Sequence, residues 1–272
     1  MWASVFQLWQ LATQWYSSVA IMLLTIAFCW PLERWKPRVV NKKLSAGRLI
    51  AITSLLLATT VLLQFYGWLG QPALITTFVK LKFFSLSKLP VPDWLLIVVS
   101  MMLLDFLYFL AHFISHYTPV LWRLHKIHHA DEDVNAFSAL LHHPLESLYV
   151  AFFITGLAVL LGMPVLVLVY FGLTLAAHDV ISHADIALPA SLDQKLRLIF
   201  VTPDVHRTHH SQNLAEGNSN FGAMFTIWDR LFGTYIDQPK EPLSQLSMGL
   251  SSSSKPAAFT AKELLLFPFR RQ

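Results

Sequence analysis

The chain has 272 residues, of which 55% are apolar and only 13% charged, against roughly 25% charged in an ordinary soluble domain. With a mean hydropathy of +0.51, this composition excludes an ordinary water-soluble globule. The net charge of +4 is too small to indicate nucleic-acid binding, so the basic residues are better interpreted as signals of membrane orientation. The one cysteine, Cys29, excludes an intrachain disulfide and a thiolate-rich zinc site.

Apolar stretches long enough to cross a bilayer, about 20 residues each, recur along the chain. We predict helical spans over residues 5–30, 49–69 and 93–111, the first of them retained rather than cleaved as a signal. A longer apolar block, residues 145–182, is broken at Gly162-Met163-Pro164, which predicts a helical hairpin. The sequence therefore predicts an all-α, multi-pass transmembrane bundle of about four to five embedded helices, with a membrane-adjacent helical region after it.

The loop between the first two spans is rich in basic residues, which predicts that it is cytoplasmic. The loop over residues 70–92 has only three lysines. The third span then ends on the cytoplasmic side near Ala111, and the hairpin leaves and returns to that side. The basic residues of the first loop are Arg34, Lys36, Arg38, Lys42, Lys43 and Arg48.

All twelve histidines lie between His112 and His210. They fall at the ends of predicted segments that share one side, so the topology predicts that they meet at one membrane face. Residues at i, i+3 and i+4 share a helix face, and three groups have that spacing: His112 and His116; His125, His128 and His129; His206, His209 and His210.

Imidazole is the usual nitrogen ligand for zinc, copper, iron and nickel, so these histidines predict a metal site. They exceed the needs of one ion, and two ions with about five nitrogens each fit the number. An all-nitrogen set with an open position suits oxygen-activating iron better than structural zinc, although spacing alone does not choose. His178 and His183 are five residues apart, about 140° on a straight helix, which favours His183.

Several carboxylates accompany the histidines. We expect Asp179 and Asp204 to orient ligand rings, and the acidic run from Asp131 to Asp133 to cap a helix or form a solvated turn. Asp105, inside the third span, is functional by default at that depth, or else pairs with Arg123 or Lys126.

The segment Asn220 to Tyr235 predicts a short helix. Trp228, Leu231 and Phe232 form a packing stripe, and Gly233 ends the helix. Asp229 and Arg230 are expected to pair or cap, and Asn220 to lie near the metals.

The motifs HFISH, HKIHH, HHPLE, TPDVHRTHH and NFGAMFTIWDRLFGTY, in that order over roughly residues 95–237, resemble the fatty acid hydroxylase / sterol desaturase superfamily. His143 takes the place of the histidine in the family's F-H-P element, with His142 where an aromatic is common. Where members are expected to have H-S-N or H-A-N, this chain has His183-Ala184-Asp185, a carboxylate expected to alter substrate preference or hydrogen bonding at the metals. The metal ligands that the resemblance implies are His112, His116, His125, His128, His129, His143, His178, His183, His206, His209 and His210.

The resemblance implies a membrane-bound di-iron, O₂-dependent oxidoreductase that hydroxylates or desaturates a lipid of sterol or fatty-acyl type. Electrons would come from an external reductase, cytochrome or ferredoxin, for which Arg34, Lys42, Lys43 and Arg123 are candidate docking charges. The chain would then divide into transmembrane helices and loops (1–92), a catalytic domain (93–237) and a C-terminal tail (238–272), with the histidine motifs on the cytoplasmic side.

Two other functions remain open from the residues. One is a carotenoid or ether-lipid hydroxylase of the same chemistry. The other is a non-enzymatic, histidine-rich membrane protein that binds or transports metal. Transport sites lie near the bilayer midplane and need polar groups in several spans, whereas the first two predicted spans have no acidic or basic side chain and Asp105 is the only acid inside the third.

Overall fold

The computed structural model describes residues 5–39, 45–81, 85–251 and 254–270. These residues form helices, short 3₁₀ turns and isolated bridges, without a β-strand among them, so the predicted all-α class is confirmed. The α-helices are α1 (Val5–Trp35), α2 (Ala46–Phe65), α3 (Gln71–Leu81), α4 (Asp93–Tyr117), α5 (Pro119–His125), α6 (Pro144–Leu160), α7 (Val165–His183), α8 (Ala190–Leu196), α9 (Pro203–His209), α10 (Leu214–Gly217), α11 (Ile227–Phe232) and α12 (Ala261–Leu266).

Four segments of the described residues are long and apolar enough to cross a bilayer, and α6 is a shorter apolar helix. The prediction of a multi-pass bundle is therefore confirmed. The four segments are Tyr16–Trp35, Ala46–Trp68, Asp93–Tyr117 and Val165–His183.

The prediction of a loop over residues 70–92 is wrong for the first half of that range, which is helical. The chain passes from α2 through a π-helical turn, Tyr66–Gly70, directly into α3. Pro72 is the second residue of α3, a position where the missing N–H costs nothing. The chain is therefore helical through residue 81, and α3 packs on α6.

The predicted hairpin is present, with α6 and α7 joined at residues 161–164. Gly162 has φ +60°, and a Cβ at this position would come within 2.5 Å of the Ser85 hydroxyl oxygen. Only glycine fits this turn without strain. The tight turn makes α7 return antiparallel to α6, so the last turn of α7 and the first turn of α6 lie at the same end of the bundle.

Helix α7 contributes to two apolar cores. Ala176 and Val180 pack with α1 and α2, and Val167 and Phe171 pack with α4 and α6. The helix is therefore held on two sides, which places its last residue, His183, in the middle of the bundle's end.

Buried charges attach the ends of α1 and α2 to the histidine-bearing segments. The Glu33 carboxylate accepts hydrogen bonds of 2.8 Å from the backbone N–H groups of Ala136 and Asp185. Arg48 of α2 pairs with Asp131. Asp131 is 1% exposed, so the prediction of a solvated turn is wrong for this residue, although the next two acidic residues are exposed.

The basic segment after α1 lies on the same side as the histidines. Arg38 forms a bidentate ion pair with Asp204 on α9. Lys42 and Lys43 lie outside the described residues. Arg38 and Arg48 therefore have ion-pair partners within the fold, in addition to any effect on the orientation of the chain in the membrane.

Candidate metal centre

Four helix ends bring the histidines together. The last two turns of α4 carry His112 and His116, one turn apart on one face. Helix α5 ends at His125 and a 3₁₀ turn follows. The C-terminal residue of α7 is His183. Helix α9 and its C-cap carry the last three rings.

The rings form two groups, in each of which the candidate ligand atoms lie within 4.8 Å of one another. We name them the first and the second histidine group. The first group consists of His112, His116, His125, His129 and His209, and the second of His128, His183, His206 and His210.

Neighbouring residues of the chain belong to different groups. His128 and His129 separate in this way, and so do His209 and His210. Adjacent side chains on a helical turn point about 100° apart, so one ring faces each group. The H-x-x-H-H motifs therefore join the two groups, and neither motif belongs to one group alone.

Hydrogen bonds fix the tautomers in the first group. His112 Nδ1 lies 2.9 Å from the Phe221 carbonyl oxygen, and His125 Nδ1 lies 2.6 Å from a Glu146 carboxylate oxygen. A nitrogen that faces such an acceptor carries the hydrogen, which leaves a lone pair on Nε2. These two Nε2 atoms are 3.1 Å apart, so their lone pairs repel unless a cation lies between them.

The second group has the same arrangement. His128 Nδ1 faces the Leu141 carbonyl oxygen at 3.1 Å, and His183 Nδ1 faces the Asp179 carbonyl oxygen at 2.7 Å. Their Nε2 atoms are 3.0 Å apart, and His206 Nε2 is 2.9 Å from that of His183. Both groups therefore fit a metal cation by the chemistry of their donor atoms.

Burial keeps five of the grouped rings neutral. Desolvation, followed by the neighbouring imidazoles, lowers the pKa of five rings outside the spans well below the usual histidine value. A neutral imidazole is the form that ligates metal. The five rings are His128, His129, His206, His209 and His210.

Two of the eleven predicted ligands are not brought into either group. His143 caps α6, because its Nδ1 accepts from the Leu145 N–H, and its Nε2 faces the Leu265 carbonyl oxygen. His178 lies more than one helical turn before His183 and contacts the Phe200 ring. As ligands, these two residues stay predictions without support from the geometry.

His142 lies beside the groups without joining them. Its ring stacks on His128 with centroids 4.4 Å apart, and its Nδ1 is 3.4 Å from Glu146. Burial is the largest single effect and opposes protonation of His142, but the charge and hydrogen bond of Glu146 and the charge of Asp179 together raise its pKa.

The carboxylates only partly have the roles that the sequence predicted. Asp179 lies 3.3 Å from His183 Nδ1, as expected for an orienting residue. Asp204 instead pairs with Arg38. Glu146, which the sequence did not single out as an orienting residue, accepts from His125 Nδ1.

The unusual Asp185 faces a cation and not a histidine. Its carboxylate pairs with Arg207, and both residues are buried. Arg207 follows His206 on α9, so this ion pair ties the helix that carries the last histidine motif to the segment after α7.

Asp105 binds neither Arg123 nor Lys126. Its carboxylate accepts from the Trp228 Nε1–H at 2.8 Å and from the Met224 N–H at 3.1 Å. The buried acid of α4 thus attaches the segment Asn220 to Tyr235, and Phe106 one residue later contacts the rings of Trp228 and Phe232.

That segment also differs from the sequence expectation in its polar contacts. Asp229 accepts from the backbone N–H groups of Phe221 and Gly222, whereas Arg230 binds the Arg197 carbonyl oxygen. Gly233 ends α11 with φ +72°, as predicted.

Sequence reasoning missed the turn over residues 218–221 as a support for the rings. His116 Nδ1 contacts the Asn218 side-chain oxygen at 3.1 Å, and His209 Nδ1 contacts the Ser219 carbonyl oxygen at 2.7 Å. Asn220 has φ +53°, a left-handed conformation that asparagine tolerates, and its side chain bonds the backbone of Val205 and Ile236. The asparagine-rich pattern N-S-N-F-G was the available signal.

Two adjoining cavities lie beside the groups. The larger, about 270 Å³, runs between α1, α2, α6 and α7 and is mostly apolar. The smaller, about 40 Å³, is lined by rings of both groups. The residues common to both walls are Tyr108, His142, Glu146, Val150, Leu175 and Asp179.

Comparison with known proteins gives a consistent picture. The family model described as fatty acid hydroxylase matches residues 97–234. An ornithine lipid hydroxylase from Rhizobium tropici is 32% identical over 144 residues, which is 53% of this chain and 43% of that protein. No solved structure gives a significant match.

Two animal proteins match over more of the chain. The alkylglycerol monooxygenase of Homo sapiens is 27% identical over 80% of this chain and 46% of its own length. A cholesterol 25-hydroxylase-like protein 1, member 2, from Danio rerio is 26% identical over 81% of this chain and 80% of its own length. The chain spans less than half the length of the ornithine lipid hydroxylase and of the human monooxygenase.

Proposed function

Because the chain belongs to the fatty acid hydroxylase family, we propose that it is a membrane-bound, O₂-dependent lipid hydroxylase that works with two iron ions. The observation that carries the proposal is the pair of histidine groups, whose lone pairs converge at the end of an apolar cavity. The relatives are named as a hydroxylase, a monooxygenase and a hydroxylase-like protein, which favours hydroxylation over desaturation.

The first group would hold one ion with five nitrogens and the second another with four. Nitrogen ligands without thiolate suit non-haem iron, and the buried setting leaves positions for a small co-substrate. When bound, the iron ions supply the activation of O₂ that oxidation of an unactivated C–H bond requires. The sequence contains one cysteine, too few for an iron–sulfur cluster of its own, so we infer an external electron donor.

The chain's own residues orient the ligands and the lipid. Glu146 holds the His125 ring through Nδ1, and the Asp179 carbonyl holds His183. Both residues also line the larger cavity, so the groups that orient the ligands stand where the substrate chain would end. The apolar walls from α1, α2, α6 and α7 would take up a lipid from the bilayer and exclude water.

We place the histidine groups on the cytoplasmic side. The ion pairs Arg38–Asp204 and Arg48–Asp131 put the basic segment beside the histidine-bearing segments. Basic loops are enriched on the cytoplasmic side of membrane proteins, which supports this orientation. Docking of the electron donor at Arg34 and Arg123, or at Lys42 and Lys43, is part of the same proposal.

A metal transporter fits the geometry less well. The rings lie at the ends of the spans, whereas transport sites lie near the midplane. The buried acid of α4, Asp105, is bonded to Trp228 and Met224 and does not line either cavity.

Metal analysis of the purified chain tests the proposal directly. We expect about two iron ions per chain, since the geometry has two groups. His128→Ala and His209→Ala, one from each group, should each lower the iron content and abolish O₂-dependent product while leaving membrane insertion intact. One ion or none in the unmodified chain, or activity that survives either substitution, overturns the two-iron assignment.

Whether His178 is a ligand is decided by the same measurement. His178→Gln should retain both ions if the nine grouped rings are sufficient, and loss of one ion would add His178 to the ligand set.

Untargeted lipidomics of cells with and without the gene would identify the substrate, which separates sterol, acyl, ether-lipid and carotenoid alternatives.

A further inference from the structure

The larger cavity contains a hydroxyl group without a partner. Thr59 of α2 lines the cavity, is 3% exposed, and its Oγ1 has no hydrogen-bond partner. A buried hydroxyl that lacks a partner destabilises the fold, and the hydrocarbon core of a bilayer offers no water to bind it. Such a group needs an explanation.

Other threonines of the spans do not share this feature. Thr25, Thr60 and Thr174 each donate to the carbonyl oxygen four residues earlier, at 2.8, 2.7 and 2.9 Å. This internal bond is the usual solution for a threonine in a membrane helix. Thr59 makes no such bond, although its side chain lines the cavity, so its hydroxyl is left without a partner in the protein.

The cavity is polar at two separate places. Near the histidine groups its wall includes His142, Glu146 and Asp179. Farther along, Tyr66 and Thr155 contribute neutral hydroxyls, and the Tyr66 hydroxyl is buried without a bond of normal geometry. From Glu146 to Thr155 is nine residues of α6, about 14 Å.

The distant part of the wall carries no cation. Among the described residues that line the cavity there is neither lysine nor arginine. An anionic phosphate or carboxylate would lack compensation there. The π-helical turn after α2 brings Tyr66 and Gly67 to this wall, and such turns often accompany functional sites.

We propose that Thr59 is a specificity-determining residue whose hydroxyl donates a hydrogen bond to an uncharged oxygen of the lipid, of the ether, ester-carbonyl or hydroxyl class. The proposal rests on the proposed function only in taking the cavity as the substrate site. The bond fixes the polar group at one depth, and therefore determines which carbon of the apolar chain lies beside the histidine groups.

The test measures the binding of two probe molecules and does not require catalytic turnover. Radiolabelled dodecan-1-ol and dodecane, which differ by one hydroxyl, are titrated against the purified full chain in detergent micelles. The unmodified chain should prefer the alcohol. Thr59→Val, which keeps the shape of the side chain, should weaken alcohol binding by roughly 3- to 10-fold, the value of one neutral hydrogen bond, and leave alkane binding unchanged.

Thr60→Val is the matched control, because the hydroxyl of Thr60 is bonded within α2. It should leave binding of both probes unchanged. The melting temperature of Thr59→Val should be equal to or above that of the unmodified chain, since no protein bond is lost, whereas a structural role would lower it.

Equal binding of alcohol and alkane by the unmodified chain overturns the proposal. An equal loss for both probes in Thr59→Val also overturns it. Neither result depends on iron or O₂, so failure of this proposal is distinguishable from failure of the hydroxylase assignment.

Discussion

Arg48 of α2 and Asp131, two residues after His129, form a buried bidentate ion pair. Arg48 Nε lies 3.0 Å from Asp131 Oδ1, and Nη2 lies 2.5 Å from Oδ2. Ser138 Oγ also donates to Asp131 at 2.6 Å. The pair connects a membrane span to the turn that carries two ligand rings, so the span contributes to the position of the metal site.

Removing Arg48 should destabilise the fold strongly. Arg48→Met leaves Asp131 buried without its cation, and loss of one partner of a buried pair costs about 3–5 kcal/mol. Thermal unfolding in detergent, with iron analysis on the same sample, measures both effects. Lys255→Met is the control, because it removes the partner of the exposed Glu132 and should cost less than about 1 kcal/mol. Equal losses in the two variants would contradict the importance of burial.

Glu146→Gln should weaken the first histidine group. The carboxylate accepts from His125 Nδ1, and loss of such an orienting partner typically lowers metal affinity or activity by about 10- to 100-fold. Chelator competition measures the affinity of the purified chain. Glu241→Gln, an exposed residue of the C-terminal segment, should have no effect. Unchanged affinity in Glu146→Gln would show that the ring is held by other contacts.

Asp185→Asn should act on stability rather than on substrate choice. The carboxylate neutralises Arg207, and an uncompensated buried charge costs about 3 kcal/mol or more. A double-mutant cycle with Arg207→Met should recover part of the loss, because the second change removes the stranded charge. A variant with unchanged melting temperature and altered products would instead support the expectation drawn from the sequence motif.

Metal-depleted protein should lose stability on acidification. Burial lowers the pKa of five grouped rings, while an unfolded histidine titrates near about 6.5. Below that pH the unfolded state binds more protons than the folded state, so the free energy of unfolding decreases as the pH is lowered. The decrease is up to about 1.4 kcal/mol per pH unit for each ring. His142 has a raised pKa and acts oppositely, since its contribution is lost as the pH rises through the folded value.

Thermal unfolding of chelator-treated protein at about pH 7.5 and about pH 5.5, on either side of the usual histidine pKa, measures this dependence. The melting temperature should be lower at the acidic pH, and the iron-loaded protein should release its metal over the same range because protons compete for the nitrogens. A melting temperature that stays level or rises on acidification would exclude neutral, buried rings.

The sequence predicts what depends on local periodicity. The spans, the break at Gly162 and the i, i+4 pair of His112 and His116 follow from patterns within one helix. Confinement of the histidines to one membrane side also follows from the order of the spans. The membrane architecture was therefore predictable without knowledge of packing.

Contacts across long stretches of chain were not predictable. Asp131 meets Arg48 across 83 residues, and the Phe221 carbonyl meets His112 across 109. A backbone carbonyl carries no sequence signal, since every residue has one. The assignment of His128 and His129 to different groups also depends on where α7 and α9 stand, which helical periodicity within one segment does not contain.

The division of adjacent rings between the two groups restricts changes in the length of the two H-x-x-H-H segments. A substitution at Lys126 or Arg207 leaves the register of the neighbouring rings unchanged, whereas insertion or deletion of one residue in either H-x-x-H-H segment rotates every later ring by about 100°. His128–His129 and His209–His210 would then point to the wrong group or away from both. Length variation in these two segments therefore displaces the ligand rings themselves, which a substitution in a spacer residue does not.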